Sequence, residues 1–402
     1  MHGAGDGRPG ARVVRVLTVL AWALTALVAA VLSVQRYRAV VADPSAGHDL
    51  GIFVDAATLV RAGTDPYTAV GYVYPPPLAV LLAPLADLDL LGAWTVTSIL
   101  ALLGGIAAVL ATVWSRTTSW ERPLVALLAV VTMLWSHPVS FSLWLGQTDA
   151  LVFLALALAA LAGVRGRPGA AGAALAVAAA VKTWPALVGV WVLRRGAVGR
   201  LRTVVVAVAV FAGLVALACI PLGPGAVGRW VDRTLSMSDQ PLAAYSVWGV
   251  GRDLFADSGV LTPVAVAPVV GTAITVVLVA WVATLLVVAL RRPGDPALGL
   301  WHVVGCVLLL LPVSHVWYLP MTLPVLWVWA ARRPRVDVAR WAAVLAVLLV
   351  CWWCAFRTWA GDPRAPETTG YVVVVAAQLV ALTVSVLASR SGRGREAASL
   401  PA

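Results

Sequence analysis

Apolar runs recur from one end of this chain to the other with only short polar breaks, so almost every stretch must be placed in lipid or against another stretch that is. The runs fall approximately at residues 13 to 34, 91 to 114, 122 to 138, 148 to 164, 169 to 182, 184 to 194, 200 to 221, 262 to 290, 297 to 312, 315 to 330, 337 to 357 and 370 to 388, with a shorter piece at 76 to 88. Several are shorter than the ~20 residues that cross a bilayer upright. With 61% hydrophobic and 12% charged residues and a mean hydropathy of +0.92, the chain lies far from a soluble domain, which has about 25% charged residues. No gap is long enough for a separate soluble domain. The expectation is a single all-α polytopic membrane domain over residues 1–402, with about 11 to 13 membrane helices, some short or re-entrant. No small-residue cleavage site follows the first run, so it reads as a retained anchor and not as a signal peptide.

The net charge of +11 would suggest a nucleic-acid partner in a soluble protein, but here the distribution of charge matters more than its sum. Taking each run as a crossing puts 20 arginines on one side and 8 on the other. The richer side is expected to be cytoplasmic. Both termini then lie in the cytoplasm, and the tail 389–402 reads as disordered. Most carboxylates fall on the opposite face, including Asp43, Asp49, Asp55 and Asp65 in the first outer loop, residues 35 to 75, and Asp149 beyond it. A second outer loop covers 222 to 261. The four cysteines all lie in apolar runs, and Cys351 and Cys354 read as packing residues.

Within the first loop, FVDAATLVRAG has the spacing of a short interfacial helix closed by Gly63, followed by a turn at Asp65-Pro66. Asp49 and Asp55 compete for one role, a general base aimed at a hydroxyl, and the plain alternative for Asp49 is a helix cap. Tyr67, Tyr72 and Tyr74 lead into Pro75-Pro76-Pro77, which fixes an extended run and then permits a helix start. These tyrosines read either as an interfacial belt or as a wall for a sugar ring. Lys182, in AVKTWPAL, is an ionisable residue at membrane depth and so a functional candidate, with snorkelling as the plain alternative. The pair of runs around it breaks at Trp184-Pro185 and reads as two short helices entering and returning beside a cavity. His315 sits at an outward turn, as a structural residue or a member of the site. Arg252 could hold a phosphate or anchor its loop to Asp253. No P-loop, GxGxxG, HExxH or GxSxG is present, so nucleotide chemistry is not expected.

The order DLGIFVDAATLVRAGTDPY, YVYPPPLAVLLAPLADL, LWLGQTDALVFLALA, AGAALAVAAAVKTWPALVGVWVLRR and LLPVSHVWYLP resembles the polyprenyl-phosphate-mannose-dependent α-mannosyltransferases of the GT-C class, known mainly from actinobacteria. The resemblance runs from about residue 13 to 388. It implies a GT-C fold whose site opens outward at the plasma membrane. It also implies transfer of mannose from polyprenyl-phosphate-mannose to a glycolipid of the phosphatidylinositol mannoside or lipomannan type, with inversion to an α linkage. Asp49 matches the family's catalytic aspartate and His315 its later histidine. Gly146-Gln147 matches as well, whereas Asp149 stands where asparagine is usual, and Ala244-Tyr245 where Asn-Gln is common. The donor carries its own leaving phosphate, so a base and cations suffice. Asp55, Arg36, Arg38, Tyr67, Tyr74, Gln147, Lys182 and Arg252 are the expected donor or acceptor contacts, with neither metal nor cofactor. A lipid or sugar-lipid transporter is the alternative from another class, and a structural scaffold is a third.

Overall fold

A computed structural model describes residues 9–236, 245–257, 263–292, 294–331 and 366–388. The expected segment 337 to 357, the centre of the second loop, the tail 389–402, Cys351 and Cys354 lie outside the described residues. Every regular element among the described residues is helical. The order is α1 (Pro9–Val41), α2 (His48–Arg61), α3 (Pro76–Leu82), α4 (Leu91–Val113), α5 (Glu121–Leu134), α6 (His137–Leu145), α7 (Asp149–Val164) and α8 (Pro168–Val181). After a 3₁₀ stretch (Trp184–Leu193) come α9 (Arg200–Leu222), α10 (Ala226–Ser236), α11 (Val247–Phe255), α12 (Pro268–Arg291) and α13 (Pro296–Leu310). A second 3₁₀ stretch (Val316–Thr322) leads into α14 (Leu323–Ala330), and α15 (Pro366–Ala388) follows.

Four helices are long and apolar enough to cross a membrane, at Arg12–Val41, Leu91–Arg116, Arg200–Leu222 and Pro268–Arg291. The bent pair α5 and α6, turned by 53°, makes a possible fifth crossing, and seven shorter apolar helices complete the set. The expected 11 to 13 crossings thus resolve, among the described residues, into a few long helices around many short ones. The most apolar windows of α1, α9 and α12 are only 6%, 11% and 17% buried, against 61% for α4. Helices apolar around their whole circumference and bare of protein need lipid as their solvent. This is a membrane protein.

The core is built from the shorter helices. Phe153 of α7 packs on Trp301 of α13 and Trp327 of α14, and all three are almost fully buried. α8 is nearly all alanine and glycine, and a Cβ at Gly172 would run into the backbone of α9 at Thr203. Without a hydrophobic drive between helices in lipid, such small residues let backbones approach and pack.

Two sets of polar contacts mark opposite ends of the bundle. At one end Arg116 pairs with Asp295, Arg194 donates to the Gly294 carbonyl at 3.1 Å, and the Arg195 amide reaches Leu290 at 2.7 Å. At the other, the Trp144 indole donates to Asp43 at 2.8 Å and Arg229 pairs with Asp65 at 2.9 Å. Three of the arginine-rich breaks therefore meet at one end, and the first acidic loop lies at the other. Inside that loop the expected helix is present as α2, but its apolar face is not laid on lipid. Phe53, Ala56, Ala57 and Val60 are buried with Tyr67, Tyr72 and α3 in a core of their own. Gly63 closes α2 in the left-handed region, at φ 71°. Asp65 accepts from the Tyr67 amide ahead of Pro66, and α3 begins at Pro76 as the prolines allow.

Single-cysteine labelling tests the arrangement. Gly63→Cys and Gly225→Cys should react from outside intact cells, and Thr117→Cys and Gly196→Cys only after permeabilisation. Labelling of Gly63→Cys and Gly196→Cys from the same side would break the scheme.

Candidate active site

Three helices stop short in the interior and bring their ends together. α6 ends at Gly146, whose φ of 75° is left-handed, with the Gly146 amide on the Leu143 carbonyl at 3.1 Å and the Gln147 amide on Ser142 at 2.9 Å. That pattern is a Schellman cap, which only glycine enters without strain. Gln147 then projects from the turn, and α7 begins two residues later with Asp149 in its first turn. α8 ends at Val181, and Lys182 follows in extended conformation because Pro185 forbids the helix from continuing. A carboxylate at the start of α7 and an ammonium at the end of α8 each complement their helix dipole. The third break, after α13, leaves His315 extended at the start of the 316–322 stretch.

α2 starts on the same turn. The Gly47 amide donates to the Trp144 carbonyl at 2.7 Å, and a Cβ on Gly146 would stand 2.6 Å from the Leu50 Cβ. This close crossing sets Asp49 beside Gln147. Asp43, which receives hydrogen bonds from the Ser45 hydroxyl and amide and from Trp144, has its pKa lowered by them. It helps hold the entry to α2.

The side chains form one connected cluster. Gln147 Nε2 donates to Asp49 Oδ2, and His48 Nδ1 lies 2.8 Å from Asp49 Oδ1. Lys182 Nζ donates to Gln147 Oε1 and to Asp149 Oδ1, both at 3.0 Å, and the Tyr74 hydroxyl donates to Gln147 Oε1 at 3.1 Å. The Lys182 ammonium sits 4.5 Å from the ring centre of Tyr318 and 5.7 Å from that of Tyr74. His315 stacks on Trp317 at 4.3 Å and meets Tyr318 edge-on at 5.3 Å. His315 is half-buried against these rings. Asp49 remains 18% exposed while Asp149 and Lys182 are at 5% and 8%: one carboxylate faces the opening and the ion pair lies behind it. The Trp184 and Trp317 indole nitrogens and the Ser314 hydroxyl, which border the cluster, are buried without a hydrogen-bond partner among the described residues. Buried donors of this kind suit a polar ligand. A narrow cleft of about 20 Å³ reaches Asp149 and Ser142 from among α4, α5, α6, α7 and the 316–322 stretch.

Of the expected residues, the structure brings together Asp49, Gln147, Lys182, Tyr74 and, across Tyr318, His315. It leaves others elsewhere. Asp55 is exposed on α2, about 240° around the helix from Asp49 at 3.6 residues per turn. Arg36 closes the end of α5, donating to the carbonyls of Leu134 at 2.7 Å and Trp135 at 3.1 Å. Arg38 is exposed at the end of α1. Tyr67 donates to the Tyr74 carbonyl at 3.2 Å and so stands behind the site. Arg252 bonds to Asp253 at 2.7 Å. Two members went unassigned in the sequence. Asp149 stood only among the outer carboxylates and as a departure from asparagine, with no role given to it, although a lone lysine and a carboxylate, each within an apolar run, are natural partners. Tyr318 carried no signal of its own.

The model of glycosyltransferase family 87 matches residues 72–314, more than half of the chain. The chain belongs to glycosyltransferase family 87. The family 87 match takes in Tyr74, Gln147, Asp149 and Lys182, while Asp49 precedes it and His315 follows its last residue. No curated protein gives a significant match.

The shared turn has a direct consequence. Gly146→Ala forces a left-handed backbone on an L-residue and drives its methyl into Leu50, costing about 1 to 3 kcal/mol. A lower melting temperature together with a larger loss of transfer activity is expected in purified protein. Unchanged values for both would show that the crossing does not set the site.

Proposed function

We propose that this family 87 glycosyltransferase moves mannose from polyprenyl-phosphate-mannose to a hydroxyl of a glycolipid acceptor, of the phosphatidylinositol mannoside or lipomannan type, at the outer face of the plasma membrane. The observation that carries the reading is Asp49, a partly exposed carboxylate fixed by Gln147 and His48 at the mouth of a cluster otherwise buried among broken helices. The resemblance supplies the mannosyl donor and the inverting outcome. The acceptor oxygen attacks the anomeric carbon while the bond from that carbon to the phosphate oxygen breaks. Its proton passes to Asp49, and polyprenyl phosphate departs with the bonding electron pair. Inversion of the β-linked donor gives the α product. His315, on its Trp317 platform, can meet a phosphate or sugar oxygen through a ring nitrogen, and the lipid-facing helices give the prenyl chain a way in from the bilayer. The step as written calls for no metal or nucleotide. Family membership favours transfer over the transporter reading, which requires only movement of the intact donor.

Membranes given labelled polyprenyl-phosphate-mannose should pass the label into a new glycolipid. Asp49→Asn should lower that transfer by at least ~100-fold, whereas Asp55→Asn should leave it close to wild type. The opposite pattern, with Asp55→Asn inactive, would move the base to Asp55. Translocated but chemically intact donor would restore the transporter.

His315→Ala should reduce turnover by roughly 10- to 100-fold with a melting temperature near wild type, since the side chain is stacked at the edge of the cluster. Lost stability with unchanged specific activity per folded molecule would remove His315 from the site.

A further inference from the structure

Lys182, the single lysine of the chain, lies beside the proposed reaction centre, and it is natural to read it as the cation for the departing phosphate. Its contacts point elsewhere. The ammonium is 8% exposed, it spends hydrogen bonds on Asp149 Oδ1 and Gln147 Oε1 at 3.0 Å each, and the ring of Tyr318 lies 4.5 Å away. A buried lysine already paired with a carboxylate offers an anion no net charge.

What it does offer is direction. A side-chain amide has one oxygen, which only accepts, and one NH₂, which only donates. Gln147 Oε1 receives two hydrogen bonds, from Lys182 Nζ and from the Tyr74 hydroxyl. An ammonium has no acceptor capacity at all, so the amide cannot turn over without placing its NH₂ against Lys182. The NH₂ must therefore face Asp49, where Nε2 meets Oδ2. The sense of the amide follows from the chemistry of its neighbours and is not a free choice.

We infer that Lys182 and Asp149 act as a neutral ion-paired anchor that orients the Gln147 amide, and through it the Asp49 carboxylate, and that Lys182 does not bind the donor's phosphate. Asp149 keeps the anchor neutral, so that Lys182 is not drawn into a direct pair with Asp49. Lys182 and Asp149 are thus positioning residues. The charged and titratable groups facing this anchor are Asp49 and His48 from α2, Tyr74 from the stretch before α3, and His315 and Tyr318 from the 316–322 region. The inference rests on the reading of Asp49 as the base.

Steady-state kinetics of donor turnover in the purified full chain separate the two roles. Lys182→Met and Asp149→Asn should each lower kcat by about 10-fold or more, as loss of orientation does, with donor KM within about threefold of wild type. A phosphate ligand would behave otherwise. Lys182→Met would then raise donor KM at least tenfold, and Asp149→Asn, which frees the cation, would leave KM unchanged or lower it. Because a single change strands a buried charge and can prevent folding, the double variant Lys182→Gln with Asp149→Asn is the second arm. It removes both charges but leaves an amide to donate to Gln147, and should recover kcat to within about threefold of wild type. A double variant as slow as the worse single one, or with a raised donor KM, would overturn the inference. Asp49→Asn in parallel distinguishes the failures: full turnover there sinks the base reading itself, whereas a dead Asp49→Asn beside a KM-type Lys182→Met sinks only the anchor.

Discussion

The ion pair between Lys182 and Asp149 exists where neither charge alone could be kept. Each group is almost completely buried in a helical bundle that must be dry on its lipid side, and an isolated ion there would cost several kcal/mol of desolvation. The two are brought together by helices that stop early: α7 opens on Asp149 and α8 closes just before Lys182, so each charge sits at the end of a helix dipole that favours it. Remove the breaks and neither residue has a partner. Backbone that leaves the helix at this depth is tolerated because it is enclosed by protein.

From that pair the rest of the site is placed by contacts of decreasing rigidity. Gln147 and Tyr74 lie against the lysine, Asp49 against Gln147, and His48 at the rim, 70% exposed. The gradient from buried pair to half-open carboxylate suits a reaction in which the acceptor must enter and leave while the base stays fixed. The long helices α1, α9 and α12 present apolar surface outward, a division that suits the lipid-borne substrates of the proposed reaction.

Much of this was legible in the sequence, for physical reasons that can be traced residue by residue. Asp49 stood out as a carboxylate of the first outer loop and, like Gln147, through the family resemblance, whereas Tyr74 ahead of its prolines and Lys182 at membrane depth stood out as polar groups in so apolar a chain. The arginines were less readable. The partners of Arg36 are the Leu134 and Trp135 carbonyls at the end of α5, almost a hundred residues away, and no local pattern announces such a cap. Asp49 and Asp55 looked equivalent until the crossing of α2 over Gly146 fixed which face of the helix looks inward. Helix count was the least legible feature. Short apolar runs read as crossings by composition, and no pattern in them announced the 53° bend between α5 and α6.

The central claim is that Asp49, held through Gln147, is the group that meets the acceptor hydroxyl. A structure of the full chain with a non-transferable polyprenyl-phosphate sugar analogue tests it most directly. The account predicts the anomeric carbon on the Asp49 side of the cluster, with room for one hydroxyl oxygen at about 2.6 to 3.2 Å from the carboxylate, and the phosphate on the far side of the sugar without contact to Lys182. A donor whose anomeric carbon faces Asp55, or lies at the arginine-rich end of the bundle, would contradict it.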